Sequence, residues 1–246
     1  MPRPAKHIIL TGRNTCLDAL NSGREIASVL LAQENQKDPV LDQIASIAHK
    51  QGIKIEHVTS DELFKLTDRS SHQGVAVFMT MLEPPTIKQI VDSKPNAFIL
   101  LLNHIDYEQN LGAIMRTAWA GGVDAIVVGH NGVHEVTPVV AKVSMGAAAY
   151  VPLISLSLFQ ALSTLKDLAV PIVGLEVGMG NVYSETKLTG PLALLVGGEA
   201  SGLTQPLIKY TDTLINIPMI GNIASLNVSV AAALVVFERL RQERLG

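Results

Sequence analysis

The segment from Ile217 to Ala233 has the sequence IPMIGNIASLNVSVAAA, and its pattern predicts the end of a strand, a loop and the start of a helix. The mostly apolar residues from Thr213 to Ile217 predict a short buried strand. Pro218 ends that strand, because proline cannot donate to a sheet ladder. Gly221 and Asn222 then predict a tight loop. A buried strand that runs into a tight loop is typical of an α/β core.

A helix from Val228 to about Arg244 follows this loop, and either Ser225 or Asn227 is positioned to cap it. A strand, a loop and a capped helix are common in α/β proteins, so the unit alone need not be functional. Its polar content argues otherwise. Ser225, Asn227 and Ser229 lie in an otherwise apolar stretch, and an unpaired buried polar group costs about 1–3 kcal/mol. The pattern therefore favours a place where side chains and backbone meet a ligand.

Composition limits the class of protein. The chain has 246 residues, 48% of them hydrophobic, and a formal net charge of −3. This length suits one large domain or two small ones with a real core. The charge gives no global signal for nucleic acid, so any RNA-binding surface is expected to be a local patch.

Cysteine content and hydropathy indicate a soluble cytoplasmic protein. The only cysteine, Cys16, cannot form an intrachain disulfide, and a zinc site built from cysteines is excluded. The apolar run Ile8–Leu10 is too short for a signal peptide. The longest apolar segment, Val228–Phe237, is shorter than the roughly 20 residues needed to span a bilayer. No membrane association is expected.

Strands and helices alternate along the chain and predict an α/β fold with two domains. Residues 1–81 are expected to form a small α/β/α sandwich. Residues 82–95, which contain Glu83-Pro84-Pro85, are expected to form a linker. Residues 96–246 are expected to form the second domain, whose continuous apolar runs suit buried parallel strands. Within it, Pro138–Val143 is predicted as a helix and Ala149–Ile154 as a strand.

A glycine-rich loop, Gly197–Gly202, lies between a predicted buried strand and a helix. It could be a plain turn. However, Glu199 places a carboxylate at the carboxyl end of the strand, where ligands of open α/β sheets bind. The loop is not GxGxxG, and no P-loop lysine follows it, so dinucleotide and Walker-type sites are disfavoured.

Asn110 and Arg116 lie on one predicted helix, with Asn110 near its cap. Arg116 is surrounded by apolar residues, so it either snorkels to the surface or forms a fork for phosphate or carboxylate. The sequence His72-Gln73-Gly74 predicts a polar turn. His104 and His130 lie near strand ends without a second ligand at metal spacing, so no metal site is expected.

Three segments together resemble a known family. They are NLGAIMRTA from Asn110, LVGGEASGL from Leu195, and the segment Ile217–Ala232. Their order and spacing resemble the SpoU (TrmH) RNA ribose 2′-O-methyltransferases of the SPOUT superfamily. Lys142 and the stretches Ser144–Ala147 and Val151–Leu153 also fit, so the resemblance covers about Ala97 to Arg244. One departure is Tyr107-Glu108-Gln109, where many members have Asp-Pro.

The first domain is similar to the N-terminal RNA-binding domain of some members, through Gly12, Ala19-Leu20 and His72-Gln73-Gly74. The bacterial 23S rRNA guanosine-2′-O-methyltransferases match better than the thiostrepton-resistance methyltransferases. The resemblance implies a C-terminal trefoil knot, which connection rules would not predict. It also implies S-adenosylmethionine as cofactor, RNA as partner and a homodimer with sites near the interface.

The resemblance also assigns site residues. The expected cofactor contacts are Gly197, Gly198, Ile217, Met219, Gly221 and Leu226. The expected reacting site comprises Asn110, Arg116, Glu199, Ser225 and Asn227. The family view makes the motif-one arginine the base for the ribose hydroxyl. Because guanidinium is a very weak acid, Arg116 is better suited to clamp phosphate and stabilise the developing alkoxide.

Three other functions stay open. A tRNA could be the acceptor in place of a 23S rRNA guanosine. The chain could also be a non-catalytic RNA-binding or ribosome-assembly factor on the same fold, although its motif residues are intact. A nucleotide-dependent α/β enzyme is the third alternative, and the missing dinucleotide fingerprint argues against it.

Overall fold

The computed structural model describes residues 7–35, 38–67, 72–81, 83–198 and 202–245. In chain order, its strands and helices are β1 (His7–Thr11), α1 (Arg13–Asn21), β2 (Ile26–Ala32), α2 (Pro39–Lys50), β3 (Lys54–Val58), α3 (Ser60–Leu66), β4 (Val75–Thr80), α4 (Ile87–Ser93), β5 (Phe98–Leu102), α5 (Glu108–Gly121), β6 (Ala125–Val128), α6 (Pro138–Val143), β7 (Leu153–Ser155), α7 (Leu158–Asp167), β8 (Ile172–Leu175), β9 (Asn181–Val182), β10 (Leu192–Val196), α8 (Gln205–Ile208), β11 (Thr213–Asn216) and α9 (Val228–Leu245).

These elements form two compact units. One comprises Met1–Glu83 with Val136–Ala149, and the other comprises Pro84–Glu135 with Tyr150–Gly246. Across the described residues, no helix combines the length and apolarity needed to cross a membrane. Both units contain strands and helices, which agrees with the α/β class predicted from the alternation of these elements along the sequence.

The first unit is built on a sheet with the strand order β1-β4-β2-β3. Strand β4 runs antiparallel to both β1 and β2, whereas β2 and β3 are parallel. Helix α3 buries Leu63 against Leu30, Ala32 and Ala76. Helix α1 packs on β1 and β4, and α2 packs on α1 and β3. Through this packing α2 buries Leu41, Ile44 and Ala48.

The segment Val136–Ala149 belongs to the first unit, although the sequence analysis places it in the second domain. Helix α6 packs against β1 and buries Val140 and Ala141. Gly146 lies so close to α1 that a Cβ at this position would be 2.9 Å from Thr15 Cγ2. The Arg24 guanidinium also donates to the carbonyl of Ala149. Sequence position alone could not reveal this packing, because the partners lie more than 110 residues away.

The second unit has a parallel sheet with the order β7-β6-β5-β10-β8-β11-β9. Every residue of the central strands β5 and β10 is buried. Parallel strands covered on both faces need such continuous apolar runs. Ile87 and Ile90 of α4 join this core. The expected linker 82–95 therefore contains a packed helix, opened by a Thr86–Gln89 capping box.

The predicted strand Ala149–Ile154 is wrong in its bounds. A 3₁₀ turn covers Ala147–Ala149, and the strand β7 occupies only Leu153–Ser155. Pro152 explains the late start, because its carbonyl accepts from the Ile126 amide but it has no amide to donate. Helix α5 begins at Glu108 with Tyr107 as its N-cap, so Asn110 lies in the first turn, near the cap as predicted.

Candidate active site

A cavity of about 330 Å³ opens at the carboxyl ends of the adjacent strands β10, β8 and β11. This is the edge of a parallel sheet where ligands of open α/β proteins bind. Three stretches supply its walls: the glycine-rich loop after β10, the loop between β11 and α9, and the residues that follow β8. Val228 and Ala231 of α9 complete the lining.

The glycine-rich loop is closed by its own backbone. Gly198 and Gly202 exchange two hydrogen bonds, of 3.2 Å and 3.0 Å from the amide of each to the carbonyl of the other. A Cβ at Gly197 would lie 2.5 Å from the Gly202 carbonyl carbon, and one at Gly198 would lie 2.7 Å from the Asn103 oxygen. Asn103 Nδ2 also donates to the Gly202 carbonyl at 3.2 Å. Glycine is therefore required at positions 197 and 198.

Five of the six expected cofactor-contacting residues line the cavity. They are Gly197, Gly198, Ile217, Met219 and Leu226. Gly221 is exposed and lies outside the lining. Ser225, expected in the reacting site, also lines the cavity and is exposed. The two loops that the sequence analysis selected separately thus form walls of one site.

Asn227 joins the first and third sequence motifs. Its Nδ2 donates to Asn110 Oδ1 at 3.1 Å, across 117 residues of sequence. Its Oδ1 accepts from the Ser229 amide at 2.9 Å and from the Ser229 hydroxyl at 2.6 Å. The side chain therefore caps α9 and holds the first turn of α5 together with the start of α9. Of the two expected caps, the structure selects Asn227.

Close packing supports this contact along the two helices. A Cβ at Gly121, the last residue of α5, would lie 2.1 Å from Val236 Cγ1 of α9. Only a residue without a side chain allows this approach. Asn110 and Asn227 are thereby held at one end of a tightly packed helix pair.

Buried Arg239 anchors α9 to the sheet. Only 6% of the residue is exposed, and its guanidinium lies 4.5 Å from the centre of the Phe98 ring. One terminal nitrogen donates to the carbonyls of Asn96 and Gly190, at 3.1 Å and 2.9 Å. The same nitrogen lies 3.2 Å from Glu243 Oε1. Burial lowers the pKa of Arg239, and the nearby carboxylates oppose that shift.

Arg116 lies on the exposed side of α5, while its neighbours Ile114 and Met115 are buried. Within the described part of the chain it has no hydrogen-bond or ion-pair partner, and it is not part of the cavity lining. The guanidinium is thus free to meet a ligand outside the cavity. Glu199, the remaining expected reacting residue, lies outside the described residues.

Glu176, which was not predicted as a site residue from the sequence, lines the cavity directly after β8. Its Oε2 accepts from the Leu203 amide at 2.6 Å, so it connects β8 to the residues that follow the glycine-rich loop. The sequence pattern that indicated Glu199, a carboxylate that follows a buried strand, would also have indicated Glu176. Both are carboxylates at the carboxyl end of a buried parallel strand.

His104 and His130, which lie near strand ends, each contact one polar side chain. His104 Nε2 is 2.8 Å from Asp106 Oδ1, and His130 Nδ1 is 3.2 Å from Ser155 Oγ. Among the described residues, no group of three or more His, Cys, Asp or Glu side chains is arranged to hold a metal ion.

Family models match both parts of the chain. The model of the SpoU rRNA Methylase family matches residues 97–237, and the model for RNA 2′-O ribose methyltransferase substrate binding matches residues 9–85. The chain belongs to the SpoU rRNA methylase family. The SpoU match covers every loop of the cavity, and the substrate-binding match covers most of the first unit.

Individual relatives agree with this assignment. The 23S rRNA (guanosine-2′-O-)-methyltransferase RlmB of Haemophilus influenzae is 36% identical over 226 residues, covering 89% of each chain. A crystal structure described as an RNA 2′-O ribose methyltransferase is 27% identical with a TM-score of 0.79, covering 98% of this chain and 90% of the other. The SpoU methyltransferase AviRb of Streptomyces viridochromogenes, in complex with AdoMet, is 20% identical with a TM-score of 0.82, covering 98% and 92%.

Proposed function

We propose that this SpoU-family chain transfers a methyl group from S-adenosylmethionine to a ribose 2′-hydroxyl in RNA, and that the acceptor is a guanosine of 23S rRNA. The observation that carries the proposal is that described residues of the second and third family motifs line one cavity together. The similarity to the Haemophilus influenzae RlmB over nearly the whole chain supports the choice of acceptor.

The cavity suits an S-adenosylmethionine molecule. Its volume of about 330 Å³ lies within the range of about 300–1,000 Å³ that is usual for small-ligand sites. Backbone groups of Gly197 and Gly198 can approach a ligand closely, while Ile217, Met219 and Leu226 offer apolar contacts. S-adenosylmethionine, when bound, supplies an electrophilic methyl group on a positively charged sulfur. The residues of this chain then have to bring the ribose oxygen to it.

The polar residues around the cavity bind and orient the RNA in this proposal. Arg116 binds the phosphate next to the target ribose and stabilises the oxygen as it loses its proton. Asn110 and Asn227, joined at 3.1 Å, fix the helix that carries Arg116. Ser225, at the cavity, positions the ribose. Glu199 keeps the role that the family resemblance gives it, the positioning of Arg116 and the ribose.

A homodimer is part of the proposal. Helix α9 exposes Val230, Leu234 and Phe237, at 47%, 36% and 47% of their surfaces. The spacing i, i+4, i+7 places these residues on one helical face, and exposed apolar stripes of this kind mark protein interfaces. A second copy of this chain is the proposed partner.

The remaining parts of the proposal concern topology, RNA binding and location. A C-terminal trefoil knot fits the sheet order, in which β8 separates the successive strands β10 and β11. The first unit is proposed to bind RNA, supported by the substrate-binding model over residues 9–85. The proposed location is the cytoplasm, where the ribosomal RNA would be met.

The test is methyl transfer from labelled S-adenosylmethionine to unmodified 23S rRNA and, separately, to bulk tRNA. Label in an alkali-resistant linkage at one guanosine of 23S rRNA is expected. Label only in tRNA would overturn the acceptor but keep the chemistry. No cofactor binding would favour a non-catalytic RNA-binding factor. Cofactor binding without label in either RNA would contradict naked rRNA as the substrate.

Arg116→Ala tests the assignment of the reacting group. Transfer should fall below detection while the Kd for S-adenosylmethionine stays unchanged, because Arg116 is not part of the cavity lining. Arg244→Ala, at an exposed arginine in the last turn of α9, is the matched control and should keep full transfer. Retained turnover in Arg116→Ala would remove this residue from the mechanism.

A further inference from the structure

Glu176 gives the cavity a negative charge. Among the described lining residues it is the only one with a charged side chain, and no lysine, arginine or histidine accompanies it. The rest of that lining is backbone, apolar side chains and the Ser225 hydroxyl. A charge in a partly enclosed, mostly apolar cavity acts more strongly on a bound ligand than one on an open surface.

The carboxylate is held in place by the backbone. Oε2 accepts from the Leu203 amide at 2.6 Å, and Oε1 accepts from the Val177 amide at 3.1 Å. Gly202, with φ of +59°, lies directly beneath it, and a Cβ there would come within 2.8 Å of both carboxylate oxygens. The loop thus needs glycine at this position for the carboxylate to lie against it.

These contacts do not neutralise the carboxylate. Amide groups stabilise it as hydrogen-bond donors but carry no net charge, and an ionised carboxylate offers about four acceptor positions. Two of them are used by the amides of Leu203 and Val177. Among the described residues, no ion-pair partner of Glu176 is present. The negative charge is therefore available to a ligand in the cavity.

We propose that Glu176 sets the charge specificity of this cavity, favouring positively charged S-adenosylmethionine over its demethylated product. The inference rests on the proposed function. Methyl transfer breaks the bond from sulfur to the methyl carbon and leaves the electron pair on sulfur, as the ribose oxygen gains the methyl group and gives up its proton to water. The ligand thereby loses one positive charge. Attraction to Glu176 weakens at that moment, which favours release of the product.

The experiment compares three ligands by isothermal titration calorimetry: S-adenosylmethionine, S-adenosylhomocysteine and sinefungin, which carries an amine in place of the methylated sulfur. Glu176→Gln removes the charge but keeps an oxygen that can accept from the Leu203 amide. Glu185→Gln is the matched control, since Glu185 is exposed and outside the cavity lining. Circular dichroism checks that each variant is folded.

In Glu176→Gln, affinity for the two positively charged ligands should fall about tenfold, whereas affinity for S-adenosylhomocysteine should fall about threefold or less. The ratio of the two affinities, rather than either alone, carries the proposal. Added salt should reduce the preference in the wild type and have less effect in the variant. Glu185→Gln should match the wild type throughout.

Equal weakening of all three ligands would overturn the proposal and leave Glu176 only the task of holding the loop. Unchanged affinities would overturn it as well. If the wild type binds none of the three ligands, the proposed function itself fails, and that outcome is distinct from a wild type that binds all three without charge preference.

Discussion

Asn227 is expected to stabilise the second unit in two separable ways. Its Oδ1 caps α9 by accepting from the Ser229 amide, and its Nδ2 bonds to Asn110 Oδ1. Loss of an N-cap costs about 1 kcal/mol, and loss of one hydrogen bond costs about 0.5–1.5 kcal/mol. Asn227→Ala removes both contacts, so we expect the free energy of unfolding to fall by about 2 kcal/mol.

Two further substitutions separate these contributions. Asn227→Ser keeps a good N-cap, but its hydroxyl is too short to reach Asn110, so the expected loss is about 1 kcal/mol. Asn110→Ala removes the same bond from the other side and leaves the cap intact. Because Asn110 has a further interaction, the expected loss is at least about 1 kcal/mol. Because both single changes break one shared bond, the double variant should be no more than about 0.5 kcal/mol worse than Asn110→Ala alone.

The assay is urea unfolding followed by tryptophan fluorescence. The chain has one tryptophan, Trp119, which lies on α5 and stacks on Tyr150 with 4.6 Å between ring centres. Its signal therefore reports on the helix that carries Asn110. With a urea dependence of about 2 kcal/mol per M, Asn227→Ala should lower the midpoint by about 1 M.

Two results would refute this account. Equal losses in Asn227→Ala and Asn227→Ser would show that the cap contributes nothing to α9. Fully additive losses in the Asn110→Ala and Asn227→Ser double variant would show that the two side chains do not interact.

Three other properties follow from buried groups. Arg239→Leu should lower the free energy of unfolding by about 3 kcal/mol, because two carbonyls lose their donor, and Trp119 fluorescence in urea measures this. An equal free energy of unfolding in Arg239→Leu and the wild type would show that Arg239 does not anchor α9. Burial raises the pKa of Cys16 to about 12, so its stabilisation is complete below about pH 9 and falls by about 1.4 kcal/mol per pH unit above it. The stability difference between wild type and Cys16→Ala should shrink accordingly, and a constant difference would contradict this. Gly198→Ala should abolish S-adenosylmethionine binding in calorimetry, because its Cβ would lie 2.7 Å from the Asn103 carbonyl oxygen, and unchanged affinity would show that the loop adapts.

The local sequence was sufficient to predict the mixed α/β class and to identify the family motifs. Strands β5 and β10 are continuous apolar runs, and such runs need no distant information to be identified. The glycine-rich loop and the segment before α9 were both selected from their own residues. Their polar and glycine content is unusual beside apolar elements, and the structure brings both to one cavity.

Tertiary structure alone decided which distant residues meet. The bond between Asn110 and Asn227 spans 117 residues, and the contact of Glu176 with Leu203 joins the end of β8 to the residue after the glycine-rich loop. The packing of Val136–Ala149 with the first unit has the same character. Periodicity identifies the buried face of an element, but it does not identify the element that covers that face. That choice depends on the shape and contacts of the whole core, and no local pattern contains it.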